Sequence, residues 1–141
     1  MIKTCIKISL LFCLFASCKK NNNGGTQPTP TPVAIIAVKT IAINTFSFDN
    51  TLYGINPLPV ITVTFTQPVQ RGSVATAVSV SETGGPAAVV TTTFQNGDST
   101  ILVQPSAPLK YLTKNNLKIS TALRSASDGG FSTAVDKDFI T

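Results

Sequence analysis

The sequence contains no histidine and no tryptophan, has only six acidic residues in 141, and has no cysteine beyond residue 18. Without histidine there is no Ser-His or Cys-His nucleophile pair and no His-containing zinc site. The acids are Asp49, Glu82, Asp98, Asp128, Asp136 and Asp138, spread over turns and one strand end. Glycoside hydrolysis needs two carboxyl groups about 5–10 Å apart across a cleft, and nothing in this spacing predicts such a pair. A weak calcium site could draw only on Asp128 or on Asp136 with Asp138, and no loop has the dense oxygen-ligand pattern of a calcium site. Gly84-Gly85-Pro86 reads as a turn, without the lysine and serine of a phosphate loop. The sequence therefore predicts no enzyme, no catalytic residue, no metal and no cofactor.

Positive charge is also scarcer than the total suggests. The net charge of +5 comes from 11 Lys+Arg against the six acids. Lys3, Lys7, Lys19 and Lys20 all precede the first acid, Asp49, and from Val33 onward seven bases face six acids, a net of +1. A nucleic-acid binder concentrates basic side chains on one face, and this body does not, so nucleic acid is not an expected partner.

What is present begins with a leader. Lys3 and Lys7 precede a short, mainly apolar run from Ile8 to Ala16, and the small residues Ala16 and Ser17 stand before Cys18. This run is too short for a spanning helix of about 20 residues and has the layout of a signal peptide over residues 1–17. Cys5 and Cys13 fall inside it, which leaves Cys18 as the single thiol of the mature chain; the exported body must fold without disulfides. Leu14-Phe15-Ala16-Ser17-Cys18 resembles the lipobox of bacterial lipoproteins, with Phe15 where that family prefers Leu. The resemblance implies cleavage before Cys18, a diacylglycerol on its sulfur and acylation of the new amine. It places the chain at a membrane of the cell envelope, the outer membrane first, with periplasmic and surface-facing orientations both open. A single acyl chain, at about 0.8 kcal/mol per buried CH₂, anchors only marginally, so two or three are needed for stable residence.

Residues 18–32 hold that cysteine and a stretch with no apolar residue besides proline and glycine. Such a stretch has nothing to bury and is expected to be a solvated tether, extended where Thr and Pro alternate. Fully stretched, residues 19–32 reach about 45 Å. Surface-exported lipoproteins of the Bacteroidota type carry short, usually acidic signals after the cysteine; here Lys19 and Lys20 are followed by asparagine.

From residue 33 to 141 short strands alternate with turns. Ile35 to Ile43 forms a first strand, which Phe46 and Phe48 extend. In Val60 to Thr66, Ile61, Val63 and Phe65 alternate with threonines, the two-residue period of a half-buried strand. Val78 to Glu82 alternates likewise, Ala88 to Phe94 makes another strand, and Asn96-Gly97 turns it into Thr100 to Gln104. Leu117, Ile119 and Thr121 alternate with Lys118 and Ser120, and Asp128-Gly129-Gly130 precedes a closing strand over residues 134–141. Gly72 to Ala77 has room for one helical turn. About seven such strands predict an antiparallel all-β sandwich. The expected core is Ile41, Ile61, Val63, Phe65, Val78, Val80, Val90, Phe94, Ile101, Val103, Leu109, Leu117, Ile119, Val135 and Phe139.

The order of these pieces, from Ile61-Thr-Val-Thr-Phe-Thr-Gln-Pro-Val69 through Ile101-Leu-Val-Gln-Pro105 to Phe139-Ile-Thr141, resembles a bacterial Ig-like domain. The nearest type is the SbsA-like one of S-layer proteins and of many exported multidomain proteins. The resemblance implies a noncatalytic spacer, adhesion or assembly module, either complete in itself or leading a longer protein.

Three smaller features suggest contacts. Tyr53 and Tyr111, with Phe46, Phe48 and Phe131, lie outside the expected core; they are candidates for a sugar platform in a glycan-binding accessory module, or else simply cover sheet edges and cap the sandwich end. Lys110, Lys114 and Lys118 fall near one strand, either as a positive patch or as edge lysines that block strand addition. Asp98-Ser99-Thr100 resembles the O-glycosylation sequon of exported Bacteroidota proteins, with Ser99 as acceptor, while plain hairpin chemistry accounts for the same residues.

Overall fold

The alternation read in Ile61–Phe65 sorts cleanly onto two faces: Ile61, Val63 and Phe65 are buried, while Thr62 and Thr64 are half-buried. This strand, β3, is the middle of a five-stranded sheet. The computed structural model describes residues 34–141, which belong to one unit spanning Thr31–Thr141. The leader, Cys18 and the tether lie outside the described residues.

In chain order the elements are β1 (Val38–Ile43), β2 (Phe46–Ser47), β3, α1 (Arg71–Ala77), β4 (Val78–Glu82), β5 (Val90–Gln95), β6 (Thr100–Pro105), β7 (Lys114–Ile119) and β8 (Val135–Ile140). The first sheet has the order β2-β1-β3-β6-β5 and the second the order β4-β7-β8. Every strand pair is antiparallel. The fold is thus the expected all-β sandwich, with eight strands among the described residues where about seven were anticipated. The extra strand arises because Phe46 does not continue β1. Asn44 takes a positive φ of 53°, and the chain folds back so that Ala42 faces Ser47 and Ile43 faces Phe46.

Inward side chains from the two sheets meet in one core. Ile61, Val63, Ile101 and Val103 come from the first sheet, and Val78, Val80, Leu117, Ile119 and Phe139 from the second. Of the expected core residues, Val90, Phe94, Leu109 and Val135 are only partly buried at its margin, and the others are fully inside. Phe48 and Phe131 correct the sequence reading. They are 1% and 5% exposed and stack edge-on against core aromatics, Phe48 on Phe139 at 6.1 Å and Phe131 on Phe65 at 6.3 Å. A strand running through Phe46 and Phe48 would put both on one face. Because β2 stops at Ser47, Phe48 swings inward while Phe46 stays 60% exposed.

The single helix among the described residues is longer than one turn. Val74 and Ala77, three residues apart, bury one face, and the Val78 N–H bonds the Val74 carbonyl as the chain passes directly into β4. Ser73 Oγ donates to the Gln70 carbonyl at the helix start (2.8 Å) and accepts the Arg124 N–H at 3.0 Å, pinning the helix to the 120s loop.

That loop also receives the start of the body. The Ile36 N–H bonds the Gly130 carbonyl at 3.1 Å, and Ile36 pairs with Phe131 in a parallel bridge. Ser125 Oγ accepts the Gly129 N–H at 2.7 Å. A β-carbon on Gly129 would lie 2.0 Å from the Ala34 carbonyl oxygen and 2.8 Å from Ser125 Oγ, so backbone meets backbone there and only glycine fits. Overpacking of this kind costs about 1–3 kcal/mol. Gly129→Ala is therefore expected to lower the thermal midpoint by about 5–15 °C, whereas Gly72→Ala, which meets nothing within 4 Å in the helix, is expected not to lower it; calorimetry of the two variants checks the difference.

Candidate functional site

Three places gather the chemistry-bearing side chains, and the outer face of the second sheet holds most of them. The β7–β8 register sets Asn116 opposite Asp138 and Lys118 opposite Asp136, while Ser79 and Ser81 of β4 flank Lys118 and Asn116 on the other side. Asn116 Nδ2 donates to Oδ1 of both Asp136 and Asp138, the latter at 2.8 Å. Lys114 Nζ lies 2.8 Å from Asp138 Oδ2 and Lys118 Nζ 3.8 Å from Asp136 Oδ2. The amide is 7% exposed, and its Oδ1 is buried without a hydrogen-bond partner. Two carboxylates thus share one amide and face two ammonium groups.

This arrangement holds charge in place. The hydrogen bond from Lys114, reinforced by that from Asn116, keeps the Asp138 carboxyl below the ordinary 3.8, and the same contact raises the Lys114 ammonium above 10.5. A general acid at neutral pH needs the opposite shift. Asp136 and Asp138, two residues apart on β8, fall on one face, but their oxygens are engaged by lysines. Asp128 sits in a tight turn at a positive φ of 65°. Among the described residues, no three Asp, Glu, Cys or His side chains converge to hold a metal ion, and no pocket opens.

The lysines also correct the sequence reading. Lys114 and Lys118 lie on β7, the central strand of its sheet, so they guard no edge. Lys110 reaches across to Glu82 Oε2 at 2.7 Å. Each member of the cluster has an acidic partner, and no bare positive patch results.

The β5–β6 hairpin is the second place. Asn96, Gly97 and Asp98 take φ values of 51°, 61° and 67°, so the turn uses three left-handed residues in a four-residue connection between Gln95 and Thr100. Asp98 is fastened by Arg71, whose Nε and Nη2 donate to its two oxygens at 2.9 and 2.8 Å. The guanidinium also lies 5.0 Å over the Phe94 ring, so one side chain at the helix start ties the hairpin to the helix. The hydrogen bond from Arg71 lowers the Asp98 pKa below the ordinary 3.8. Ser99 Oγ donates to the Asn96 carbonyl at 2.7 Å, and the Ser99 carbonyl accepts the Phe65 N–H. Ser99 is therefore part of the turn's own bonding, while Asp98 bonds outward to Arg71 and to the Val69 N–H.

The third place is the end of β8. The Ile140 N–H bonds the Leu52 carbonyl, and the Leu112 N–H bonds the Thr141 carbonyl. These bonds bring the segments carrying Tyr53 and Tyr111 to adjacent residues of the closing strand. Tyr53, Tyr111 and Leu112 are 73%, 75% and 91% exposed, so Tyr111 does not cap the sandwich by burial. Of the other aromatics considered for this role, only Phe46 is exposed.

Comparison with known proteins fits this geometry. A family model described as a bacterial Ig-like domain matches residues 39–141. The N-terminal part of the bacterial S-layer protein SbsC superposes with a TM-score of 0.51 at 16% identity, over 75% of this chain and 23% of that one. A larger SbsC structure, domains 1–6, gives 0.52 at 14% identity, over 77% and 14%. Native alpha-2-macroglobulin from Escherichia coli, spanning domains MG0-NIE-MG1, gives 0.55 at 9% identity, over 76% and 32%. The chain thus spans less than a third of each of these structures, and at such identities the likeness is one of fold. No curated protein matches the sequence. Among the described residues no helix is long and apolar enough to cross a membrane.

The ion pairs set a pH dependence. Asp98 and Asp138 bind protons more weakly in the folded chain than in the unfolded one, so their contribution is complete above the ordinary 3.8 and is lost as pH falls through their lower folded values. Lys114 behaves in mirror image, contributing below 10.5 and losing that contribution as pH rises through its raised value. The urea midpoint is expected to fall on acidification, less steeply in Asp138→Asn. In Arg71→Gln the Asp98 carboxyl is expected to titrate closer to 3.8 by NMR.

Proposed function

The chain belongs to the bacterial Ig-like domain family, and from that premise we propose that it is a noncatalytic module of the bacterial cell envelope, anchored by lipid at Cys18 and serving as a spacer or assembly domain. The observation that carries this reading is the order of parts: an apolar leader ending at Cys18, a polar stretch without groups to bury, and a body whose core begins at Ile36. Diacylglycerol on the Cys18 sulfur, with the new amine acylated, holds the chain at the membrane, the outer membrane first. The tether then sets the sandwich clear of the lipid headgroups. The body supports a passive role. Four of its six acids are neutralised in ion pairs, by Arg71, Lys110, Lys114 and Lys118. Ser99 stays a hairpin residue in this reading.

Radioactive palmitate fed to cells expressing the full chain is expected to label the wild type and to leave Cys18→Ala unlabelled; equal incorporation in both would overturn the lipid anchor. Protease shaving of intact cells then separates the surface-facing orientation from the periplasmic one.

One observation favours a second reading, as a glycan-binding accessory module of a polysaccharide-degrading system. Tyr53 and Tyr111 are both exposed where their segments meet the end of β8, and exposed aromatic faces are what sugar rings stack on. Affinity electrophoresis in gels containing envelope or plant polysaccharides would then show retardation that Tyr53→Ala and Tyr111→Ala reduce; unretarded migration in every gel removes this reading.

A further inference from the structure

The two sheets have four outer strands, β2, β5, β4 and β8, and three of them are protected. β2 is two residues long. β4 is bridged from outside by Ala87, with the Ala88 N–H bonded to the Val80 carbonyl at 2.7 Å. β8 is bonded on its outer side by Leu52 and Ile55 through Ile140 and carries Asp136, Lys137 and Asp138. β5 has none of these protections. It runs six residues, Val-Thr-Thr-Thr-Phe-Gln, pairs among the described residues only with β6, and has no charged or proline residue from Ala87 to Gln95. Natural edges are normally blunted by charge, proline, bulges or cover, so an uncharged, uncovered edge of this length is open to strand pairing.

Its bonding phase is determined. The Ser106 N–H bonds the Val89 carbonyl, so along the register Thr91, Thr93 and Gln95 exchange bonds with Gln104, Leu102 and Thr100. Pro105, which has no N–H, falls opposite Val90 at a non-bonded position. The N–H and C=O groups of Val90, Thr92 and Phe94 therefore point to the open side.

We propose that β5 is a self-association edge, on which a second copy of this chain pairs antiparallel about a two-fold axis through Thr92. The sequence is self-complementary about that residue. Thr92 meets Thr92 of the second copy, Val90 meets Phe94, Thr91 meets Thr93, and Val89, which is 78% exposed, meets Gln95. Inward residues pair with inward residues, so the cores of both sandwiches stay on one side of the joined sheet. The β-branched and aromatic partners are favourable cross-strand neighbours, and no like charges are brought together. The contact is isologous and closes on itself, joining two five-stranded sheets into one.

Sedimentation of the full chain in a nonionic detergent tests this, with the N-terminal apolar run present in every variant. The wild type is expected to sediment at twice the 14.8 kDa of the chain. Thr91→Lys with Thr93→Lys puts ammonium opposite ammonium at both outward pairs and is expected to halve the mass. Thr91→Lys with Thr93→Glu puts opposite charges at the same pairs and is expected to restore the doubled mass, which a merely misfolded strand would not do. A wild type that stays at the single mass up to sub-millimolar concentration, a double-lysine variant that remains paired, or a lysine–glutamate variant that remains single would each overturn the proposal.

Discussion

A sheet with one apolar face has to be covered, and in this chain the cover is another sheet. Beyond Cys18 no disulfide can form, so the contact between the inward faces of β3 and β6 on one side and β4, β7 and β8 on the other carries the fold. The helix and loops serve that contact. α1 delivers Val74 and Ala77 to it, the bend after β2 delivers Phe48, and the 120s loop delivers Leu123. Burial of a Val, Ile, Leu or Phe side chain contributes roughly 1.5–3 kcal/mol, and chain entropy consumes most of the sum. Each peripheral residue that closes the sandwich therefore matters.

The same constraint shapes the surface. Residues that could do chemistry are displayed on the outer faces, where the strand register decides their neighbours. Asp136 and Asp138 meet Asn116 and two lysines, Asp98 meets Arg71, and Glu82 meets Lys110. Exposed pairs of this kind add little stability on average, but they keep the carboxylate oxygens engaged within the chain. The outcome is a scaffold in which four of the six acids are paired with bases of the same chain.

Most strands were legible in the sequence because their threonines and β-branched residues keep a strict two-residue period. Ile61, Val63, Phe65, Val78, Val80, Leu117 and Ile119 face inward as that period requires. The misplaced residues depend on facts that period does not encode. Phe48 is buried because β2 ends one residue earlier, and Phe131 because Ile36 docks beside it. The start of β7 is masked by Lys114-Asn115-Asn116, although Asn115 and Asn116 are both buried. The Asn116 cluster could not be anticipated because it exists only in the particular register of β7 against β8. The lysines were read as edge residues for the same reason, since sheet order is a tertiary property. Tyr53 and Tyr111 could be placed outside the core, but composition could not decide between an exposed face and a cap, nor show that they flank the same strand end.

The parallel bridge between Ile36 and Phe131 has a mechanical consequence. Tension applied at Ala34 and resisted through β8 would drive two side-by-side segments past each other along their length. The Ile36–Gly130 hydrogen bond and the first bonds of β1 to β3 would then be loaded in shear and would have to yield together, whereas a hairpin pulled open at its end gives way one bond at a time. The glycine that admits Ala34 so closely is thus also what seats the clasp by which the domain would withstand a tug on its leading end.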